Sequence, residues 1–312
     1  MIGTAAGYPQ RSGIVIPEIW AAKANIKLYD DTFLSDITCS DYEEEIKKEG
    51  DVVHIKNVGD VTLRRYYKGT DMVIQNIEDT LIDLVVDQSW YYDFGCDDID
   101  SFQAKGGSNS LMNDWADDAG HKAAETFEDI VINDVDADAH ADNVGATAGR
   151  ISSSYNLGVS GTPKSLTKAD VVDILVDARS TLRENKCPRN DLWSIIPEWF
   201  AGMIMKSDLQ DASLTGDGKS IIRDQNGRLG IIAGLTLYES NILEAVTDGS
   251  DTCYSVLCGW KKAIAFAAQM TKVRKVEPFT TWSTLMQGLY VFGYKVLRPQ
   301  GLAVIYCKKG SE

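Results

Sequence analysis

The period of the apolar positions changes several times along the chain, and those changes lay out its elements. Leu192-Trp193-Ser194-Ile195-Ile196 is a short, nearly continuous apolar run that stops at Pro197. Proline cannot donate to a sheet ladder, so the run is expected to be a buried strand that ends there. Trp199, Phe200, Met203 and Ile204 then fall on one helical face, and Pro197 suits the first turn of that helix. Lys206 to Arg223 is polar and glycine-containing, as a surface loop should be, and Asn226-Gly227 is the strongest turn dipeptide in the chain. A second strand is predicted over Leu229 to Tyr238, interrupted by Gly230 and Gly234.

Two more helices carry clear periodicity. From about Asn109 to Val135, Met112, Ala116, Ala119, Ala123, Phe127 and Ile130 recur at spacings of three and four, behind the capping residues Ser108, Asn109 and Ser110. Asp114, Asp117, Asp118, Glu125, Glu128 and Asp129 mark the wet side of this helix, which would span roughly 40 Å. Thr167 with Asp170 three positions on predicts the start of another helix, a variant of the capping box. Val171, Val172, Ile174, Leu175, Ala178 and Leu182 supply its buried face, and Lys186-Cys187-Pro188 ends it. Residues 143–166, rich in Gly, Ser and Thr, separate the two helices as a natural boundary.

The remainder is β-rich. Val52 to Ile55 and Val61 to Leu63 form one group of strand formers and Leu81 to Val86 another, around the basic, aromatic turn Arg64-Arg65-Tyr66-Tyr67-Lys68-Gly69-Thr70. A two-stranded ribbon is barely stable alone in water, so this one needs a partner surface. Trp90 to Asp100 closes the region with an aromatic strand and an acidic cluster. Near the C-terminus, Thr252 to Trp260, Leu285 to Leu297 and Leu302 to Cys307 are predicted strands, the last two joined across Arg298 to Gly301. Gly288 and Gly293 suit a bend or bulge within strand. Ahead of the ribbon, Tyr8-Pro9 and Ile16-Pro17 favour extended backbone. A helix is expected from Pro17 to Leu28, with Ile19, Trp20, Ala24 and Leu28 along one side, and the charged run Tyr42 to Gly50 follows.

Charge narrows the function. With Lys+Arg 31 against Asp+Glu 46 the formal charge is −15, so the chain is poorly suited to gripping nucleic acid through its phosphates, although it can enclose it without contacts. The six cysteines have no CxxC spacing, and the three histidines stand in no ligand spacing with them. That favours reduced thiols over a disulfide framework or a zinc site. Asp134, Asp136, Asp138 and Asp142 form a D-x-D-x-D run, but an EF-hand needs glycine and glutamate where Ala139 and Gly145 stand. Gly218-Lys219-Ser220 resembles the tail of a phosphate loop, yet Ser213 occupies the position of the required glycine. No G-x-S-x-G, H-E-x-x-H or G-x-G-x-x-G is present, so a carboxylate-only centre is the best enzyme alternative. The N-terminus has no secretory signal, and no stretch approaches the ~18 apolar residues of a membrane helix. Neither cofactor nor metal is expected.

The words "IIPEWFAGMIMKSD" and "NGRLGIIAGLTLYESN", with "GWKKAIAFA", "GLYVFGYKVLRP" and "LAVIY" further on, resemble the major capsid proteins of tailed bacteriophages, whose shell fold is shared with encapsulins and herpesvirus capsids. The resemblance implies an α+β shell fold. It divides the chain into an N-terminal arm (1–50), an extended β-ribbon with its adjoining strand (51–94), a peripheral domain with a long spine helix (95–160), an axial α/β domain (161–250) and return strands completing the peripheral domain (251–312). It implies a non-enzymatic protein that self-assembles as pentamers and hexamers into an icosahedral shell around double-stranded DNA. Scaffolding, portal and cement proteins would be its other partners. The chain begins almost at its arm, so a separate scaffolding protein rather than a long cleavable segment is expected. The location implied is the virion, and the host cytoplasm before assembly. An encapsulin-type compartment is the main alternative, and a binding or adhesion protein of phage origin a further one. The residues assigned to contacts between subunits are Trp20 in the arm and Tyr66, Tyr67 and Lys68 at the ribbon tip. Lys56 and Lys68 lie where some family members crosslink, but no sequence rule selects a partner for either.

Overall fold

The computed structural model describes residues 32–41, 52–59, 61–69, 71–97, 108–207, 228–279 and 281–310. The predicted arm helix with Trp20, the charged run before the ribbon, and most of the loop and turn before Arg228 lie outside these residues. The side chains of 108–114, 228–229 and 269–271 do so as well.

The centre of the molecule is a seven-stranded mixed sheet. Its strands are β4 (Lys164–Leu166), β5 (Leu192–Ile196), β6 (Arg228–Ile232), β7 (Leu235–Glu239), β8 (Ala245–Asp248), β9 (Asp251–Trp260) and β12 (Leu302–Lys309). The order is β4-β12-β9-β5-β7-β6, with β8 paired to the outer part of β9. β5 runs parallel to β7 and antiparallel to β9. All five of its residues are buried because both faces of the sheet are covered. One face packs on α3 (Val171–Glu184) and α4 (Glu198–Met205) through Leu175, Leu182, Phe200, Ile204, Leu237 and Ile305. The other packs on α1 (Leu34–Ile37) and the end of α2 (Ser108–Val135) through Phe33, Ile37, Phe127, Val131, Trp193 and Leu257.

A three-stranded sheet lies beside it, ordered β10 (Ile264–Val276), β11 (Ser283–Val296), β3 (Gln88–Asp97). Phe292 of β11, whose ring lies 4.4 Å from that of Phe127, and Ile264 of β10 belong to the same apolar cluster as Trp193 and Leu257, so one core joins the two sheets. The ribbon is a third unit, built from β1 (Val52–Asn57) and β2 (Thr80–Val85), and it is rooted where Val53 and Leu84 pack on Ala265 and Ala267. Gly293 lies under this root. A Cβ there would stand 2.2 Å from the Val85 carbonyl oxygen and 2.8 Å from Val86 Cα, so glycine is needed for the close approach.

Several predicted elements take a different form. The strand expected over Leu229 to Tyr238 is a hairpin, β6–β7, because Ala233 and Gly234 have φ of 52° and 78°. Both are left-handed, the requirement of a type I′ turn, and Gly230 stands at the register shift in β6. The helix expected from Thr167 begins at Val171: Thr167 Oγ1 donates to Asp170 Oδ2 at 2.6 Å, and residues 168–170 form a turn ahead of it. It ends with Lys186 at φ 63° and with Lys186 and Cys187 N–H groups donating to the Arg183 and Leu182 carbonyls, a Schellman closure without glycine. Pro197 precedes α4 as its cap, in extended conformation, instead of lying within the first turn. Val61 to Leu63 forms no regular strand. β11 and β12, consecutive along the chain, belong to different sheets because the 3-10 turn Pro299–Gly301 redirects the backbone between them. Gly288 and Gly293 mark close packing against Tyr92 and the ribbon root, whereas the bulge of this hairpin lies on β10 between Met270 and Lys272.

α2 matches its predicted length, and Asp117 and Asp129 lie on its wet side as expected, but Glu128 does not. Glu128 is fully buried and its Oε1 accepts the Phe33 N–H at 3.0 Å, which ties α1 to α2. Burial deepens toward the C-terminal half, through Phe127, Val131, Ile132 and Val135. The Gly/Ser/Thr-rich stretch after it is held down at several points. Glu184 Oε2 accepts the Ile151 and Ser152 N–H groups at 2.8 and 3.1 Å, and these bonds hold its carboxyl below the usual range. Buried Asn143 donates to the Leu302 carbonyl at 2.7 Å and the Gln300 carbonyl at 2.9 Å.

Candidate assembly surface

The ribbon leaves its root as a short antiparallel ladder and then loses regular pairing. Across the ladder His54 Nδ1 lies 2.6 Å from Asp83 Oδ1, and Lys56 Nζ lies 2.6 Å from Asp79 Oδ2. The hydrogen bond from Lys56, followed by that from the Gly59 N–H, pulls the Asp79 carboxyl below its ordinary pKa. Beyond the ladder Gln75 holds Thr62 through both its side-chain oxygen and nitrogen, closing the two arms at a single point.

Past this point the arms carry large apolar side chains into solvent. Leu63 is 94% and Ile74 95% exposed, and Val61, Met72 and Val73 are exposed with them. A continuous run of this kind on a projecting segment marks an interaction surface rather than ordinary surface scatter. Tyr66 and Tyr67 are exposed at the tip, with the Arg65 guanidinium 5.3 Å from the Tyr67 ring centroid, and Lys68 stands in the tip turn beside Gly69. The three ribbon residues singled out from the sequence therefore lie together. The apolar residues behind them were missed, although Val61, Leu63, Met72 and Ile74 alternate as strand residues do.

A second exposed feature lies on the three-stranded sheet. Trp90, Tyr92 and Tyr290 form one wall and Ala119, Ala123 and Phe127 of α2 the other wall of an open groove of about 300 Å³. Trp90 belongs to β3, one of the two edge strands of this sheet, and is half-exposed. At the far end of the β10–β11 hairpin, Phe279 is fully exposed and Trp282 is 85% exposed.

A polar cleft of about 430 Å³ lies where the ribbon root meets the end of α2, lined by Asp83, Asp87, Asp134, Asp138, Tyr294 and Lys295. Tyr294 donates to Asp134 at 2.8 Å. Burial first, and then this bond and the surrounding carboxylates, push the phenol well above its ordinary pKa. Burial likewise raises Asp136 in the 3-10 turn that follows α2. Among the described residues no three His, Cys, Asp or Glu side chains are grouped to hold a metal ion. All six cysteines are free and buried. Burial pushes the Cys258 thiol, 3.2 Å from Ser194 Oγ, up to about 12, so it is an unreactive core thiol.

Three sheets and a long helix in this arrangement have counterparts along nearly the whole chain. A solved structure from Mycobacterium phage Che8 is similar with a TM-score of 0.70 at 25% identity, covering 93% of this chain and 96% of that one. The capsid structure of cyanophage P-SCSP1u is similar with a TM-score of 0.66 at 17% identity, covering 95% and 94%. The capsid of Ralstonia phage GP4 is similar with a TM-score of 0.65 at 10% identity, covering 99% and 98%. The chain has the phage capsid shell fold. No protein-family model and no curated protein matches the sequence. The buried thiols and the carboxylates bound by Phe33, Ile151 and Ser152 N–H groups belong to the architecture of the fold.

Proposed function

We propose that the chain is a major capsid protein, assembling as pentamers and hexamers into the icosahedral shell of a tailed double-stranded DNA phage. The observation that carries this is the ribbon: a capsid-fold subunit presents Leu63, Met72, Val73 and Ile74 on a projecting arm with nothing among the described residues to cover them. Water contact at such a stripe is relieved when it lies on another copy, at roughly 25 cal/mol per Å² of apolar area covered. Tyr66, Tyr67 and Lys68 are assigned to that contact at the ribbon tip, and Trp20 to a contact made by the N-terminal arm. The units named from the sequence serve the same reading: α2 as the spine of a peripheral domain, and β5, α4 and the β6–β7 hairpin as part of an axial domain around the capsomer's symmetry axis. Closed shells arise from such repeated heterologous contacts, each of modest strength. With a formal charge of −15 the shell would enclose DNA without gripping it. Scaffolding, portal and cement proteins would be its partners, and the virion its final location. The role is structural and not enzymatic.

The test is negative-stain electron microscopy of the protein expressed alone and with a scaffolding partner. Closed shells, or rings of five and six, are the expected result. Deletion of residues 60–72 is expected to leave a soluble, folded chain that no longer closes shells. Normal particles from that deletion would overturn the role given to the ribbon. Monomers alone, with and without the scaffolding partner, would overturn the capsid function.

A further inference from the structure

Among the described strands the chain passes between the three-stranded sheet and the seven-stranded sheet three times: from β3 through α2 to β4, from β9 to β10, and from β11 to β12. These connections are far apart in sequence, yet they meet. The link from β9 to β10 is the 3-10 turn Lys261–Ala263, and the Ala263 carbonyl accepts the Leu297 and Arg298 N–H groups at 2.8 and 3.2 Å. Those two residues lead into the 3-10 turn Pro299–Gly301 between β11 and β12. The third connection arrives behind α2, where the His140 N–H donates to the Pro299 carbonyl at 3.1 Å. Asn143 completes the junction by donating to the Gln300 and Leu302 carbonyls at 2.9 and 2.7 Å. Its Oδ1 accepts from Asn185 at the end of α3, so both ends of this fully buried carboxamide are engaged. Packing is tight here as well: a Cβ on Gly301 would lie 3.0 Å from that of Ala263.

We infer that Asn143 is a positioning residue: at the junction of the three connections it fixes the tilt of the three-stranded sheet, with its ribbon, against the central sheet, and thereby the curvature of the assembled shell. The inference rests on the capsid reading and assigns shell geometry to a buried residue, apart from the contact surfaces themselves. The physical reason lies in the two kinds of force that join the sheets. The core they share, with Phe292 and Ile264 from one and Trp193 and Leu257 from the other, is apolar. Apolar burial holds surfaces together without prescribing an angle. Hydrogen bonds do prescribe one, because they weaken steeply when misaligned. Those of the junction bind the connections to one another at a single place. What happens there is carried outward. The ribbon is rooted on Ala265 and Ala267 of β10, close behind Ala263 in the chain. α2, with 28 residues, runs into the junction from the other side. A helix of that length spans roughly 42 Å, so a tilt of about 5° at one end moves the other by roughly 4 Å. Displacements of that size at the outer parts of a subunit change the angle at which neighbouring copies meet.

The test compares Asn143→Ala and Gly301→Ala with Phe200→Ala, which removes core packing between α4 and the central sheet. Each chain is assembled under the conditions in which the unmodified chain forms shells, and particle diameters are measured by electron microscopy. Asn143→Ala frees the junction and Gly301→Ala wedges it. Both should at least double the spread of diameters or give open sheets and tubes. Phe200→Ala should lower the yield of shells but leave their diameter unchanged. Uniform shells of the unmodified diameter from Asn143→Ala overturn the inference and leave the capsid reading in place. An equal spread from Phe200→Ala overturns it too, since general instability would then account for both. If Asn143→Ala does not fold, Gly301→Ala decides by the same criterion. If neither folds, hydrogen exchange of the unmodified chain decides: the Asn143, Leu297 and Gly301 amides should exchange within tenfold of those of β5, and faster exchange overturns the lock. Failure of the unmodified chain to form any particle overturns the capsid reading itself, and the curvature role with it.

Discussion

The seven-stranded sheet and the ribbon, two parts of one subunit, satisfy the same physics in opposite ways. In the sheet every apolar side chain of β5 finds cover, with Phe200 and Leu175 above it and Trp193 packed below among residues of α1 and α2. Along the ribbon, by contrast, Leu63 and Ile74 remain almost wholly exposed. The sheet buries its apolar residues within the monomer, whereas under the proposed capsid role the ribbon's exposed stripe is covered on assembly. Substitutions should therefore separate folding from assembly, according to the region in which they fall.

The largest effect on folding should come from Phe200→Ala. The ring is fully buried between α4 and the sheet, and its loss should cost about 3–5 kcal/mol, measured by chemical denaturation. Next is Gly293→Ala, where the new Cβ would meet the Val85 backbone. It should cost about 1–3 kcal/mol and loosen the ribbon root; faster exchange of the β1–β2 amides would locate the damage. A smaller effect follows from pH. The Cys258 thiol, raised by burial from 9.0 to about 12, stays protonated in the folded chain while its unfolded counterpart ionises. The unfolded state is then favoured as pH rises from about 9 towards 12, by at most roughly 1.4 kcal/mol per pH unit. Cys258→Ala should flatten that slope in denaturation curves taken between pH 8 and pH 10.

The smallest folding effects belong to the ribbon. Lys56→Ala removes an exposed ion pair and should change stability by no more than about 1 kcal/mol. Ile74→Asp should change the denaturation midpoint hardly at all, yet abolish shell formation under the electron microscope. If Ile74→Asp destabilised the monomer as much as Phe200→Ala does, the contrast between the two regions would collapse.

Legibility in the sequence followed the same division. β5, α4 and the body of α2 were visible because their apolar spacing is local and strong, and their bounds agree with the pattern to within a residue or two. The β6–β7 hairpin was hidden because its turn uses Ala233 ahead of Gly234, a poor advertisement compared with Asn-Gly. Glu128 was assigned to solvent because its own helix cannot reveal that Phe33, 95 residues away, brings an N–H to it. Of the exposed aromatic surfaces, the basic ribbon tip stood out by composition. Phe279 and Trp282 did not, since isolated aromatics look the same in sequence whether a core or solvent receives them.

The sequence by itself determined the types of the strongly periodic elements β5, α2, α3 and α4, the acidic character that disfavours phosphate binding, the resemblance to capsid proteins and the apolar faces on which α3, α4 and β5 pack. These depend on periodicity and composition, which are properties of neighbours along the chain. Only the tertiary structure decided that β11 and β12 separate into different sheets, that Gly293 makes room for the ribbon root, and that Trp90, Tyr290, Ala119 and Phe127 meet in one groove. Those features depend on which distant segments approach each other, and that is settled when the whole core packs, not by any local pattern.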